Sequence, residues 1–321
     1  LEMRHDIKDS NLNTVSANKT YKAVTDWITE EYVFETGSLV NSFGAKRTIE
    51  IQKNFLEHSK NKIPVVIMQD VVRGYRTLYP INLGLSCSFD MELCEKCAAM
   101  AAKEASIDGV HMTLAPMLDV SRDARWGRVM ESFGEDPYLG QVLARANIRG
   151  TQGNLDKYHV AGCVKHFVGY GACEAGRDYN TVDMSEYTLR NFYLPPFKAG
   201  IEAGAELLMP AFNIMFGQPM VTNKKLMVDI LREEWGFDGV TVSDYNACTE
   251  TITHGYCADE KEVALRSFEA ELDIEMSTTT YIKHLKELLD EGKISMVQLD
   301  KSVMRQLRLK NKLGLFENPT Y

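Results

Sequence analysis

Six apolar runs in this chain end on residues that can move protons or grip polar ligands. Pro64–Met68 leads into Gln69 and Asp70, and the run that starts at His111 leads into Asp119, Arg122, Asp123, Arg125 and Arg128. Val160–Val164 is followed by Lys165 and His166, and Leu207–Ala211 by Asn213. Val240–Val242 is followed by Ser243 and Asp244, and Ile274 by Glu275. A charged group abutting a buried strand is costly unless it converges on a partner or a ligand. Strands ending this way would gather acids, bases and an imidazole around one axis. The chain has no G-x-x-x-x-G-K loop and no convincing G-x-G-x-x-G, so no nucleotide cofactor is expected. It has no H-E-x-x-H or paired-carboxylate metal spacing, so no metal is expected, and no G-x-S-x-G elbow. Two chemistries stay open. Asp244 could act as a carboxylate nucleophile on an acetal carbon while its neighbours grip sugar hydroxyls. Lys165 beside His166 also permits a Schiff-base lysine of the aldolase type.

Positioning these residues requires a scaffold, and the apolar pattern supplies one. Candidate strands are Ser38–Asn41, Pro64–Gln69, His111–Ala115, Val160–Val164, Leu207–Ala211, Val240–Ser243 and Leu272–Met276. They are short, rich in Val, Ile, Leu and Met, and do not alternate with polar residues. That pattern suits parallel strands buried on both faces. Leu139, Val142, Leu143 and Ala146 form a helical stripe, as do Ile282, Leu285, Leu288 and Leu289 ahead of Gly292. The expected fold is α/β, a TIM-type (β/α)8-like barrel spanning residues 37–321, with its active site at the C-terminal strand ends. No eighth strand stands out, so the first β/α unit is expected to be irregular or incomplete. Residues 1–36 are polar, with one helix predicted around Tyr21, Val24, Trp27 and Ile28.

Composition narrows the function classes. The 321 residues are 45% hydrophobic and 25% charged, which excludes disorder and a membrane-embedded chain. The net charge of −9 argues against a nucleic-acid partner and leaves a neutral sugar open. No run of eighteen apolar residues is present, so no membrane span is expected. The first thirty residues show no secretory leader pattern, and the chain begins Leu1-Glu2, so the compartment stays open. Cys94 and Cys97 form a C-x2-C with no second pair at zinc spacing, and read as ordinary thiols on a helix.

Several ordered motifs give the chain a family likeness. They are Gln69-Asp70-Val71-Val72-Arg73-Gly74-Tyr75-Arg76-Thr77, Ala115-Pro116-Met117-Leu118-Asp119-Val120-Ser121-Arg122-Asp123 and Arg125-Trp126-Gly127-Arg128. Gly134-Glu135-Asp136-Pro137-Tyr138, Lys165-His166-Phe167 and Gly176-Arg177-Asp178-Tyr179-Asn180-Thr181 follow. Glu234-Trp235-Gly236-Phe237 and Val242-Ser243-Asp244-Tyr245 complete the set. With these motifs the sequence resembles the family-3 glycoside hydrolases, in the barrel domain of their β-glucosidase branch. The resemblance implies hydrolysis of terminal β-glucosyl residues, with Asp244 as nucleophile of a retaining mechanism. It implies that Asp70, Arg128, Lys165 and His166 hydrogen-bond the sugar, that Tyr245 stacks on it, and that Met209 and Phe212 wall the subsite. It gives Lys165 a binding role, which displaces the aldolase reading, and it is compatible with a periplasmic or secreted location.

The chain also departs from the family pattern. Arg73-Gly74 replaces the usual His-Gly, which is expected to add a guanidinium near Asp70. Glu271 and Asp273 stand where small residues usually precede a strand, so Glu271 needs a paired or solvent-facing position. Retaining hydrolysis needs a second carboxyl about 5–5.5 Å from the first. In the glucosidase branch that glutamate belongs to a following α/β domain, which the resemblance implies as the partner supplying the acid/base. A related branch uses an Asp-His pair on the loop after the Lys-His motif. Here that loop, Gly171-Ala172-Cys173-Glu174-Ala175-Gly176-Arg177-Asp178, has no histidine, and Glu174 and Asp178 are its only carboxylates. The competing expectation is a barrel that binds sugar or serves as a scaffold without catalysis.

Overall fold

The computed structural model describes residues 2–5, 7–8, 13–14 and 36–320, with side chains from Thr36 onward. Eight parallel strands close a barrel. They are β1 (Glu2–His5), β2 (Ser38–Val40), β3 (Val66–Gln69), β4 (Met112–Thr113), β5 (Ala161–Phe167), β6 (Leu207–Pro210), β7 (Val240–Tyr245) and β8 (Ile274–Met276). Each pairs with its sequence neighbour, and β1 pairs with β8 to complete the ring. The chain therefore has the expected TIM-type architecture, and all seven expected strands are present. The strand that sequence patterning did not find is β1. It sets Met3 opposite Ser38 and His5 opposite Val40 on one side, and Glu2 opposite Glu275 on the other. No apolar run marks this segment; its two neighbours' open edges give it its place. The helix expected around Tyr21 to Ile28 lies outside the described residues.

Strand parity decides which side chains reach the barrel interior. Leu39 and Val65 pack outward against Ile51 and Phe55 of the helix Ala45–His58. The alternate positions therefore point inward. Val40, Val66, Met68, Met112, Cys163, Leu207, Met209, Val240, Val242, Ile274 and Met276 form one interior cluster. Burying each such side chain contributes about 1.5–3 kcal/mol. Two residues beyond Met68, Cys163 and Val242, the same parity delivers Asp70, Lys165 and Asp244 to the C-terminal mouth. It sends Glu275, which lies between Ile274 and Met276, the other way.

The surrounding helices follow their apolar stripes. Pro137–Gln152 starts at an Asp136 cap, whose side chain accepts from the Leu139 N–H, and buries Leu143 and Ala146 of the predicted stripe. Gly150 lets this helix approach Met91–Ile107 closely, since a Cβ there would lie 2.2 Å from the Glu95 carbonyl oxygen. Cys94 sits on that contact face beside Ala98, and all seven cysteines are free thiols. The C-x2-C is thus a helix-packing feature.

The opposite end of the barrel holds a buried charge network. Asp273 accepts from Arg232 at 2.9 Å, from Arg305 at 3.1 Å and from the Thr241 N–H at 3.0 Å. Glu271 pairs with Arg305 and with Lys301, which satisfies the pairing expected of it. Removing one partner from such a network strands the others in a low-dielectric site. Asp273→Ala should therefore lose about 3–5 kcal/mol in urea denaturation, and an unchanged midpoint would contradict the assignment.

Lys310 lies at the same end, donating to the Pro64 carbonyl at 2.7 Å, and burial pulls its pKa from 10.5 down to about 8. Below pH 8 the folded state carries a buried charge that the unfolded chain holds in water, and this cost fades as pH rises toward 10.5. Relative to Lys310→Met, the wild-type chain should thus gain about 2–3 kcal/mol between pH 7 and pH 10. Urea melts at both pH values read the difference, and parallel behaviour of the two proteins would rule it out.

Candidate active site

At the C-terminal mouth, a cavity of about 610 Å³ is lined by Asp70, Arg128, Glu131, Lys165, Met209, Asp244 and Tyr245, with Val40, Leu114 and Met276 beneath. Six of the eight residues expected at the site thus share one cavity wall. His166 is fully buried just behind that wall. Phe212 is set further back, in an aromatic cluster with Tyr179 at 4.6 Å and Tyr170 at 5.8 Å between ring centroids.

Each charged group at the mouth has a partner. Lys165 Nζ donates to Asp70 Oδ1 at 2.7 Å. Burial pulls the lysine's pKa down, but Asp70 and Asp244 outweigh it, so the ammonium is held above its usual range. A Schiff-base lysine needs the opposite shift, which sets the aldolase chemistry aside. Arg128 is gripped by Glu131 through Nε–Oε1 at 2.8 Å and Nη2–Oε2 at 2.9 Å. It also lies 5.6 Å above the Tyr170 ring.

Behind them runs a carboxylate–imidazole–carboxylate chain. Asp119 Oδ2 accepts the His166 backbone N–H at 2.9 Å and stands 2.9 Å from its Nδ1. His166 Nε2 lies 3.3 Å from Asp244 Oδ2 and 3.3 Å from Arg128 Nη2. The β5 ladder shifts register between Lys165 and Phe167, and the successive side chains of Lys165 and His166 both meet site groups, Asp70 and Asp244 respectively. Burial, with Arg128 and Lys165 adding to it, pulls His166 well below its usual pKa and keeps the imidazole neutral at neutral pH. Burial also raises Asp119 to about 7, against the pull of the His166 N–H and Arg128.

Asp244 stands at the end of β7, where its Oδ1 accepts the Tyr245 N–H at 2.6 Å. Burial pushes its carboxyl above the ordinary range, opposed by Lys165, the Tyr245 N–H and Arg128. A desolvated carboxylate that lines an open cavity together with an ammonium and a guanidinium can attack an electrophilic carbon. The other cavity acids, Asp70 and Glu131, are each clamped by a cation. Glu250, whose carboxyl is raised by burial and by Asp244, lies off the cavity lining.

Several strand-end residues do not join the site. Glu275 is completely buried and caps the helix Thr280–Asp290, accepting from the Thr280 and Tyr281 N–H groups at 3.1 and 2.7 Å. Asp123 pairs with Arg125 on the surface, and Arg122 lies over the Phe192 ring. Ser243 accepts the Met276 N–H, and Asn213 turns toward the Val168 carbonyl. Arg73 is exposed and is not among the residues that line the cavity. Asp178 accepts from Trp126 Nε1 at 2.9 Å, a structural commitment, and Glu174 is exposed. Conversely, Glu131 was not anticipated as a site residue, though its i, i+3 spacing from Arg128 was readable. Asp119 was read as a strand-end acid without a role.

Comparison with known proteins places this arrangement. Residues 6–309 match the model of the glycosyl hydrolase family 3 N-terminal domain. A periplasmic β-glucosidase of Salmonella typhimurium is 40% identical over 310 residues, covering 96% of this chain and 40% of that protein. A β-xylosidase of Formosa agariphila is 38% identical over 258 residues, covering 76% of this chain and 36% of that protein. The crystal structure of a β-glucosidase from Listeria innocua in complex with glucose superposes with a TM-score of 0.94 at 44% identity. That match covers 99% of this chain and 45% of the other. The chain thus spans about two fifths of the length of the curated relatives it matches. On both sequence and structure, the chain belongs to glycosyl hydrolase family 3, and its barrel is that family's N-terminal domain.

Proposed function

We propose that this chain is the nucleophile-bearing domain of a retaining β-glucosidase. It binds a terminal β-D-glucosyl residue in the mouth cavity, and Asp244 attacks the anomeric carbon to form a covalent glycosyl-aspartate. One observation carries this reading: Asp244 opens onto the same cavity as Asp70, Lys165 and Arg128. Asp70 offers acceptors to sugar hydroxyls, while Lys165 and Arg128 donate and favour an ionised nucleophile. Met209 and Tyr245 add apolar surface on the cavity wall for a sugar face.

Protonation of the leaving oxygen needs a second carboxyl near Asp244, and the cavity acids are held by cations. The reading assigns this role to a glutamate of a further α/β domain, in keeping with the greater length of the relatives. With the chain alone, turnover is slow on ordinary glucosides and faster where the leaving group needs no proton, as with nitrophenyl glycosides. An extracytoplasmic location, as in the name of the Salmonella relative, belongs to the same proposal.

A 2-deoxy-2-fluoro glucoside with a dinitrophenyl leaving group should add one fluoroglucosyl mass to the chain, mapped by peptide mass spectrometry to Asp244. Asp244→Asn should take up no label. Labelling at another residue, or full activity in Asp244→Asn, would overturn the assignment. A chain that gives no calorimetric signal with glucose and no aryl-glucoside turnover would instead support the scaffold reading.

A further inference from the structure

Glu131 lines the sugar cavity, yet the reaction as described gives it no task. It closes the short turn Val129–Glu131, and its backbone carbonyl accepts from Asn82 Nδ2 at 2.8 Å. Its carboxylate faces Arg128 across two parallel bonds, and both side chains are 24% exposed. A fork-on-fork grip of this kind fixes the plane of a guanidinium as well as its position.

The donors of Arg128 can be followed one by one. Nε–H and one Nη2–H go to Glu131, and Nη2 also lies 3.3 Å from His166 Nε2. Nη1 takes no partner among the described residues. The grip therefore uses up one edge of the guanidinium and leaves the Nη1 pair for a ligand. We infer that Glu131 is a positioning residue for the sugar site, one that orients Arg128 so that Nη1 donates to a sugar hydroxyl. This rests on the glucoside-binding function proposed above. Glu131 acts through the arginine and need not touch the sugar. Without it, Arg128 would lose its fixed plane and the site would lose an ordered, charge-assisted donor.

The test combines glucose calorimetry with an NMR probe of the arginine itself. Glu131→Ala should weaken glucose binding about tenfold or more, the worth of one charged hydrogen bond. Glu131→Gln, which keeps an acceptor oxygen, should fall between Glu131→Ala and the wild type. The double variant Arg128→Ala/Glu131→Ala should bind no worse than Arg128→Ala, because Glu131 has nothing left to orient. Wild-type affinity in Glu131→Ala would overturn the inference, and so would losses that multiply in the double variant. In sugar-free protein, the Nε–H resonance of Arg128 should be sharp and protected in the wild type and lost in Glu131→Ala. Its persistence would equally overturn the clamp. If the wild-type chain binds no glucose, the glucosidase reading fails, while the Nε–H signal still decides whether Glu131 holds Arg128.

Discussion

The structure depends on the cost of placing charge at the end of a buried strand. An apolar barrel offers little water to an ammonium, a guanidinium or a carboxylate, so each must find an opposite charge or a ligand. At the mouth the solution is a set of local pairs: Lys165 with Asp70, and Arg128 with Glu131. Asp244 is handled differently. It receives the Tyr245 N–H and lies against a neutral imidazole, and no cation is bonded directly to it. That arrangement keeps the carboxylate near positive charge without consuming it in an ion pair.

The other end of the barrel meets the same cost with a different result. Asp273, Arg232, Arg305 and Glu271 pair with one another in a buried network, although Nε of both arginines lacks a hydrogen-bond partner. In barrels of this class the C-terminal face carries chemistry and the N-terminal face carries stability, and the two charge clusters divide along that line. The two ends differ in where the open groups lie: Arg128 is at the wall of the mouth cavity, whereas the unpartnered Nε atoms of Arg232 and Arg305 are buried. At the bottom the carboxylate oxygens of Asp273 are all taken, whereas at the top Arg128 Nη1 has no partner among the described residues.

Much of this was legible in the residues. Seven strands and the residues that follow them could be read from apolar runs, because a strand buried on both faces leaves a continuous signal. Asp70, Lys165 and Asp244 come to one cavity because each follows its run at inward parity. Glu275 shows the limit. It follows an apolar run, as Asp244 does two residues after Val242, but it stands at outward parity and caps a helix, and the run is too short to reveal its phase. The strand Glu2–His5 was not legible, since its place comes from the open edges of two distant strands. Arg73, three residues from Asp70 in sequence, is exposed and does not line the cavity, which its place in the motif does not reveal. Glu131 was missed because an i, i+3 pair to arginine reads as a surface feature until a cavity is seen beside it.

These pairings lead to one central claim, that the mouth cavity holds a glucosyl unit with its anomeric carbon at Asp244. The most direct measurement is a crystal structure of this chain soaked with glucose. The account predicts one sugar in the cavity, its C1 facing an Asp244 oxygen and its hydroxyls bonded to Asp70, Lys165 and Arg128. A cavity empty at saturating glucose, or a sugar bound elsewhere on the barrel, would contradict it.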